Sequence, residues 1–401
     1  MSKTPMTLPR RLGLLFELPT LCIIIVTMVA LSLPLVVALR GWQGWSQTIA
    51  SPSVTRRVAG PLGKPTALIH IGPPKTGTTY IQRVLLAYRA KLLGMNMVYY
   101  VPPVEGRHPE AHHFLLHPER DETAMTAFKD KLSEAVAKGQ HVIVSSEALS
   151  LMSPKLMSSL KSLFPKFNIK VVLTHRPFLG REWSQYKQHL SQHNPPQIGV
   201  SFAEFYGKVS RSETDGTGFC GRVASKYIQE FGRDSVFILD FLGAQNDGDI
   251  VNMLLSAVGL PTFEEPLEQV HLGPGLASDQ VVYFQMWYLL GEYMREHHHC
   301  KLEAPPRQEL VHKVDAMFKH HTMPKKCLDM EPMKKYALKM DANFRVAFGD
   351  RILHFRPDLS DNETTHFKQI CELDHQIVRM DWNDAFEKHA ETLLSNSCQK
   401  Q

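Results

Sequence analysis

The 401-residue sequence contains no C-x-x-C pair, no dense Lys/Arg run, no internal repeat and no G-x-x-x-x-G-K-[ST] loop. The first absence removes paired-cysteine zinc sites and thioredoxin-like redox motifs. The second removes the usual footprint of a nucleic-acid binder, because the net charge of +5 is mild and spread over a long chain. The third removes solenoids. The fourth disfavours an ordinary nucleoside-triphosphate loop. Only six cysteines are present, Cys22, Cys220, Cys300, Cys327, Cys371 and Cys398. In an oxidising compartment one or two disulfides are expected, with Cys300–Cys327 the most local choice, although spacing alone does not fix the pairing. Histidine is plentiful, but the triplet His297-His298-His299 has no second ligand cluster at metal-binding spacing, so it reads as a solvated helix end and no metal site is expected. The remaining composition, 43% hydrophobic and 21% charged, is that of a globular chain with one large domain or two small ones.

The stretch Ile69-His70-Ile71-Gly72-Pro73-Pro74-Lys75-Thr76-Gly77-Thr78-Thr79 carries the most chemistry. A β-prone run, Ala67 to Ile71, meets a Gly/Pro turn, and a helical pattern follows from Thr78 to Leu93. Strand, tight loop and helix start build an anion site, because free backbone N–H groups and the helix dipole face the ligand. Lys75 adds a point charge, Thr76, Thr78 and Thr79 add donors, and Gly77 lets the backbone approach closely. Lys75 precedes Gly77, the reverse of the Walker order. The order Pro74-Lys75-Thr76-Gly77-Thr78-Thr79 resembles the 5′-phosphosulfate loop of sulfotransferases, which use 3′-phosphoadenosine 5′-phosphosulfate (PAPS).

Strand and helix patterns alternate through the next part of the chain. Strand candidates are Met95–Val101, His141–Ser145, Ile169–Thr174 and Val236–Phe241, and helical patterns cover Thr123–Lys138, Pro154–Phe164 and Val223–Phe231. Such alternation predicts an α/β fold, a parallel sheet flanked by helices, with ligands beyond the strand C-termini. Lys75, Glu147 and Arg176 each fall just after a strand and should meet at one sheet edge. From Leu272 the chain is mostly helical in pattern (277–298, 308–320, 333–348 and 366–393), giving expected divisions of 65–270 for the α/β domain and 271–401 for a helical C-terminal extension.

Leu18 to Leu39 is an uncharged run of 22 residues, long enough to span a bilayer core of roughly 30 Å. Lys3, Arg10 and Arg11 precede it, which predicts a cytosolic tail (1–17), a transmembrane signal anchor (18–39), a stem (40–64) and a lumenal domain. A cleavable signal peptide is the rival reading, with an apolar core usually of about 7 to 15 residues. The single-pass, N-in layout is similar to that of Golgi glycan-modifying enzymes, and the sequon Asn362-Glu363-Thr364 agrees with a lumenal placement.

Thr174-His175-Arg176-Pro177, with Ser184 eight residues after Arg176, resembles the 3′-phosphate site of sulfotransferases. Arg176 offers a planar fork to phosphate oxygens and Ser184 a donor two turns into the next helix, while Arg181, a nearby basic alternative, reads as a surface residue. Together the two motifs make Ala67–Phe241 look like the P-loop-like sulfotransferase fold, in a variant closer to the microbial and algal branch. The resemblance implies metal-independent, in-line transfer of a sulfuryl group from PAPS to a hydroxyl or amine. Pro74, Lys75, Thr76, Gly77, Thr78 and Thr79 would hold the phosphosulfate, and Arg176 and Ser184 the 3′-phosphate. Lys75 would stabilise the leaving phosphate. Glu147 is the first candidate for the general base, His113 and His112 the second, and Glu110 a third. Tyr227, Phe219 and Trp183 are open choices for the adenine slot. The implied acceptor is a glycan or another secretory-pathway molecule, with no nucleic-acid partner. The competing classes are a P-loop nucleotide kinase or hydrolase, and a non-catalytic lumenal binding protein that keeps the fold.

Overall fold

The computed structural model describes residues 64–101, 112–117, 120–192, 200–213, 216–267, 276–302, 305–396 and 398–400. The expected anchor, its tail, the stem up to residue 63 and Glu110 lie outside them. Among the described residues no helix is long and apolar enough to cross a membrane.

The first half runs β1 (Thr66–Ile71), α1 (Thr78–Ala87), α2 (Arg89–Gly94), β2 (Met97–Tyr99), α3 (Glu122–Ala137), β3 (His141–Ser145), α4 (Pro154–Ser162), β4 (Asn168–His175) and α5 (Phe178–Ser191). It continues through α6 (Phe202–Ser212), α7 (Gly218–Phe231), β5 (Val236–Asp240), α8 (Phe241–Asp247) and α9 (Ile250–Ser256). The C-terminal part holds α10 (Val281–His298), β6 (Cys300–Leu302), α11 (Arg307–Phe318), β7 (Lys325–Cys327), α12 (Glu331–Phe348) and β8 (Ile352–Leu353). It ends with α13 (Pro357–Thr365), β9 (Cys371–Leu373), α14 (His375–Asp381), α15 (Asn383–Asn396) and β10 (Cys398–Lys400).

Six strands form one sheet in the order β2-β3-β1-β4-β5-β8, and every pairing is parallel. All six residues of β1 are buried, as an apolar central strand covered on both faces requires. On one face Leu68, Ile143, Val172 and Leu239 pack with Ile81, Val84 and Leu254 of α1 and α9. On the other, Ala67, Ile69 and Ile71 pack with Phe128, Leu160 and Val223 of α3, α4 and α7. The chain leaves β1 toward β2 and β3, then crosses back to β4 and β5. The strand order therefore reverses beside β1, where open α/β sheets bind ligands.

The segment after residue 270 is not helical throughout. Ile352 and Leu353 pair with Ile238 and Leu239 as the sixth strand of the main sheet, a strand too short to leave a sequence period. The helix expected over 366–393 is broken by β9 and divided into α14 and α15, with Asp374 capping α14. The cysteine expectation is also corrected: Cys327 bonds Cys371, because β7 and β9 pair antiparallel with these two residues in register. Cys300 is disulfide-bonded too, though not to Cys327. Cys220 is free and buried.

Candidate anion-binding and transfer site

The loop after β1 is shaped by two left-handed residues, Lys75 (φ 70°) and Gly77 (φ 85°). Glycine accepts that region without strain; lysine does not, so the surroundings must hold Lys75 there. Thr76 supplies part of that hold. Its buried hydroxyl donates to the Pro73 carbonyl at 2.7 Å and accepts from the Thr174 hydroxyl at 2.7 Å, tying the loop to the end of β4. Helix α1 then starts from Gly77 with no side-chain cap and no acid in its first turn. Its first N–H groups lack intrahelical acceptors and are available to an anion. The Thr78 hydroxyl is buried without a partner, a second donor left open at the same place. Gly72 is required for this shape, since a Cβ there would run into the Thr78 hydroxyl.

Lys75 is half-buried. Burial pulls its ammonium below the ordinary lysine value, the Glu147 carboxylate pushes it back up, and the Arg176 guanidinium pulls it down. Residues from the ends of β1, β3 and β4 thus interact at one edge of the sheet. Glu147 starts the short 3-10 turn 148–151, but its side chain does not cap that turn. Its carboxylate is half-buried and acts on Lys75 instead. Beneath the loop, the Gln82 amide donates to the Ser145 carbonyl at 3.0 Å and His70 Nδ1 lies 2.7 Å from Ser145 Oγ. His70 is fully buried, which lowers it to about 3 and keeps the ring neutral. His112 and His113 begin a 3-10 turn whose Phe114 and Leu115 share a core cluster with Leu149 of the turn 148–151.

The second expected anion site is already partnered. Arg176 Nη2 donates to Glu363 Oε1 at 2.7 Å, and its guanidinium stands 5.8 Å from the Phe241 ring centroid. The first turn of α5 faces another carboxylate: the Phe178 N–H donates to both Asp341 oxygens at 3.1 and 3.3 Å. Burial raises Asp341 to about 7, and burial lowers the neighbouring His175, stacked on Phe344 at 4.1 Å, to about 3. Ser184 is half-buried, one turn beyond Gly180 on the α5 face that Glu363 approaches. Arg181, read from sequence as a surface residue, is buried and ion-paired with Glu182.

Sequence reasoning missed four participants. Glu363 and Asp341 arrive from α13 and α12. His189, on α5, is kept below its ordinary value by burial and then by Lys75; its Nε2 lies 3.0 Å from the Gln185 amide. Phe241 lines a cleft of 860 Å³ beside the loop, with Gly77, Tyr80, Asp249, Asn252 and Phe263. The aromatic residues considered for an adenine slot, Tyr227, Phe219 and Trp183, do not line this cleft. Tyr227 is in the sheet core, Trp183 packs on Tyr186 and Phe202, and Phe219 lies under Arg181 and Arg222. The histidine triplet ends α10, with His298 Nε2 2.9 Å from Glu387 Oε2. Among the described residues no group of His, Cys, Asp and Glu is arranged to hold a metal ion.

No family model and no curated protein matches the chain. Among solved structures, a sulfotransferase from Alicyclobacillus acidocaldarius is similar over 59% of this chain and 96% of its own, at 18% identity and a TM-score of 0.35.

Proposed function

We propose that this chain is a sulfotransferase that draws its sulfuryl group from PAPS and passes it to a hydroxyl or amine of a glycan or other secretory-pathway acceptor. The observation that carries the reading is the meeting of Lys75, Glu147 and Arg176 at the strand ends beside an uncapped helix N-terminus. The open Thr78 hydroxyl and the glycine positions of the loop fit a phosphosulfate. When bound, PAPS supplies an activated sulfuryl group with a stable phosphate as leaving group. Lys75, the loop amides and Thr78 steady the charge that grows on that phosphate. Thr76, tied to Thr174, keeps Lys75 aimed. Glu147 takes the acceptor proton as the acceptor oxygen or nitrogen bonds sulfur and the sulfur–phosphate oxygen bond breaks. His113 is the alternative base on the neighbouring turn. Arg176 and Ser184 hold the 3′-phosphate, remote binding energy that positions the reacting group.

The same proposal places the chain in the Golgi membrane as a single-pass protein with residues 18–39 as anchor. The Cys327–Cys371 bond and the exposed Asn362 of the sequon support an oxidising lumen. A binding protein that keeps the fold without catalysis is the second reading, favoured by the Arg176–Glu363 pair. Radiolabelled PAPS and a panel of glycans decide between them. The full chain should label at least one acceptor, and Lys75→Ala should cut the rate by about 10² to 10³, the usual loss for one such donor. Folded protein that labels no acceptor would sink the enzymatic reading.

A further inference from the structure

We propose that Glu363 is a built-in counter-ion that closes the second anion subsite, and that a 3′-phosphate binds by displacing it from Arg176. This rests on the PAPS reading above and adds a regulation to it. The contact is incomplete. Arg176 and Glu363 share one hydrogen bond of 2.7 Å, while Arg176 Nε and Glu363 Oε2 are both buried without partners. A paired fork would have satisfied both atoms, so the guanidinium keeps an open donor for a ligand able to accept from Nε and Nη2 together. A phosphate monoester dianion is such a ligand.

Gly180 makes the intrusion possible. A Cβ at that position would stand 2.7 Å from Glu363 Oε1 and 2.9 Å from Oε2, so only glycine lets the carboxylate lie across α5. The same end of α5 already holds the Asp341 carboxylate on the Phe178 N–H. Two carboxylates from the C-terminal segment thus crowd one cationic region, and Glu363 helps to raise Asp341. That repulsion is relieved when Glu363 swings out. Its helix is fastened by other groups, among them Arg345 to Asp361 at 2.6 Å, so the side chain can leave while α13 stays docked.

The test compares wild type with Glu363→Gln and Glu363→Asp by calorimetric titration with 3′-phosphoadenosine 5′-phosphate (PAP) and with 5′-AMP, which lacks the 3′-phosphate. Glu363→Gln should bind PAP about tenfold more tightly and 5′-AMP no differently, with Glu363→Asp in between. Unchanged or weaker PAP binding in Glu363→Gln would overturn the proposal and make Glu363 a support for Arg176. Should neither adenosine phosphate bind any of the proteins, the PAPS reading is what fails. The counter-ion is then judged by the melting-temperature shift with inorganic phosphate: a larger shift in Glu363→Gln sustains it, equal shifts overturn it.

Discussion

Gly72→Ala is the sharpest structural test of the loop. A Cβ at Gly72 would overlap the Thr78 hydroxyl and stand 2.9 Å from Thr78 Cβ and 3.1 Å from Cγ2. Rotating Thr78 does not relieve this. A turn about its Cα–Cβ bond exchanges the hydroxyl and the methyl but leaves Cβ in place. The loop or the first turn of α1 must therefore move by several tenths of an ångström, and overpacking of this kind costs about 1–3 kcal/mol. The movement also shifts the open Thr78 hydroxyl and the free N–H groups, so PAP affinity should fall at least about tenfold, the equivalent of about 1.4 kcal/mol. Thr78→Ala removes two of the three clashing atoms. In that background Gly72→Ala should cost less by about 1 kcal/mol, a coupling expected of residues in contact. Urea denaturation of the four proteins, with and without PAP, measures both quantities. Strictly additive stabilities, or a Gly72→Ala protein with native stability and affinity, would refute the reasoning.

Further consequences concern the supports of the site. Reduction of Cys327–Cys371, which closes a loop of 44 residues, should destabilise the chain by about 4 kcal/mol on the chain-entropy account. Comparing Cys371→Ser with wild type in urea checks that figure, and a loss below 1 kcal/mol would contradict it. His70 is held neutral at about 3, whereas an unfolded histidine titrates near 6.5. The unfolded chain therefore gains a proton that the folded chain refuses. This stability is complete above about pH 6.5 and is lost as pH falls toward 3, at about 1.4 kcal/mol per pH unit. Wild type should lose stability faster than His70→Asn over that window, and parallel curves would show that His70 titrates normally.

The parts of the site readable from sequence are those made by neighbours in the chain. Gly72 to Thr79 announced its loop because glycine, proline and threonine act locally, and β1, β3, β4 and β5 announced themselves as buried apolar runs. What escaped reading was made by distant contacts. Glu363 meets Arg176 across 187 positions, and Asp341 meets Phe178 across 163, with no local pattern to mark either. The two-residue β8 is recognisable only from its pairing with β5. Cysteine pairing followed strand register and not proximity in the chain. Aromatic residues gave no guide to the cleft beside the loop, because burial in the core claims most of them and only position separates Phe241 from Tyr227.

The central claim is that the loop after β1 and Arg176 together grip a nucleotide phosphorylated at both 5′ and 3′ positions. Competitive titration of the full chain and of Lys75→Ala with PAP, 5′-AMP and Mg-ATP tests it most directly. The account predicts that PAP binds more tightly than 5′-AMP or Mg-ATP, and that Lys75→Ala weakens PAP binding at least about tenfold, about 1.4 kcal/mol, while remaining folded. A preference for Mg-ATP, or PAP binding that survives Lys75→Ala undiminished, would contradict it.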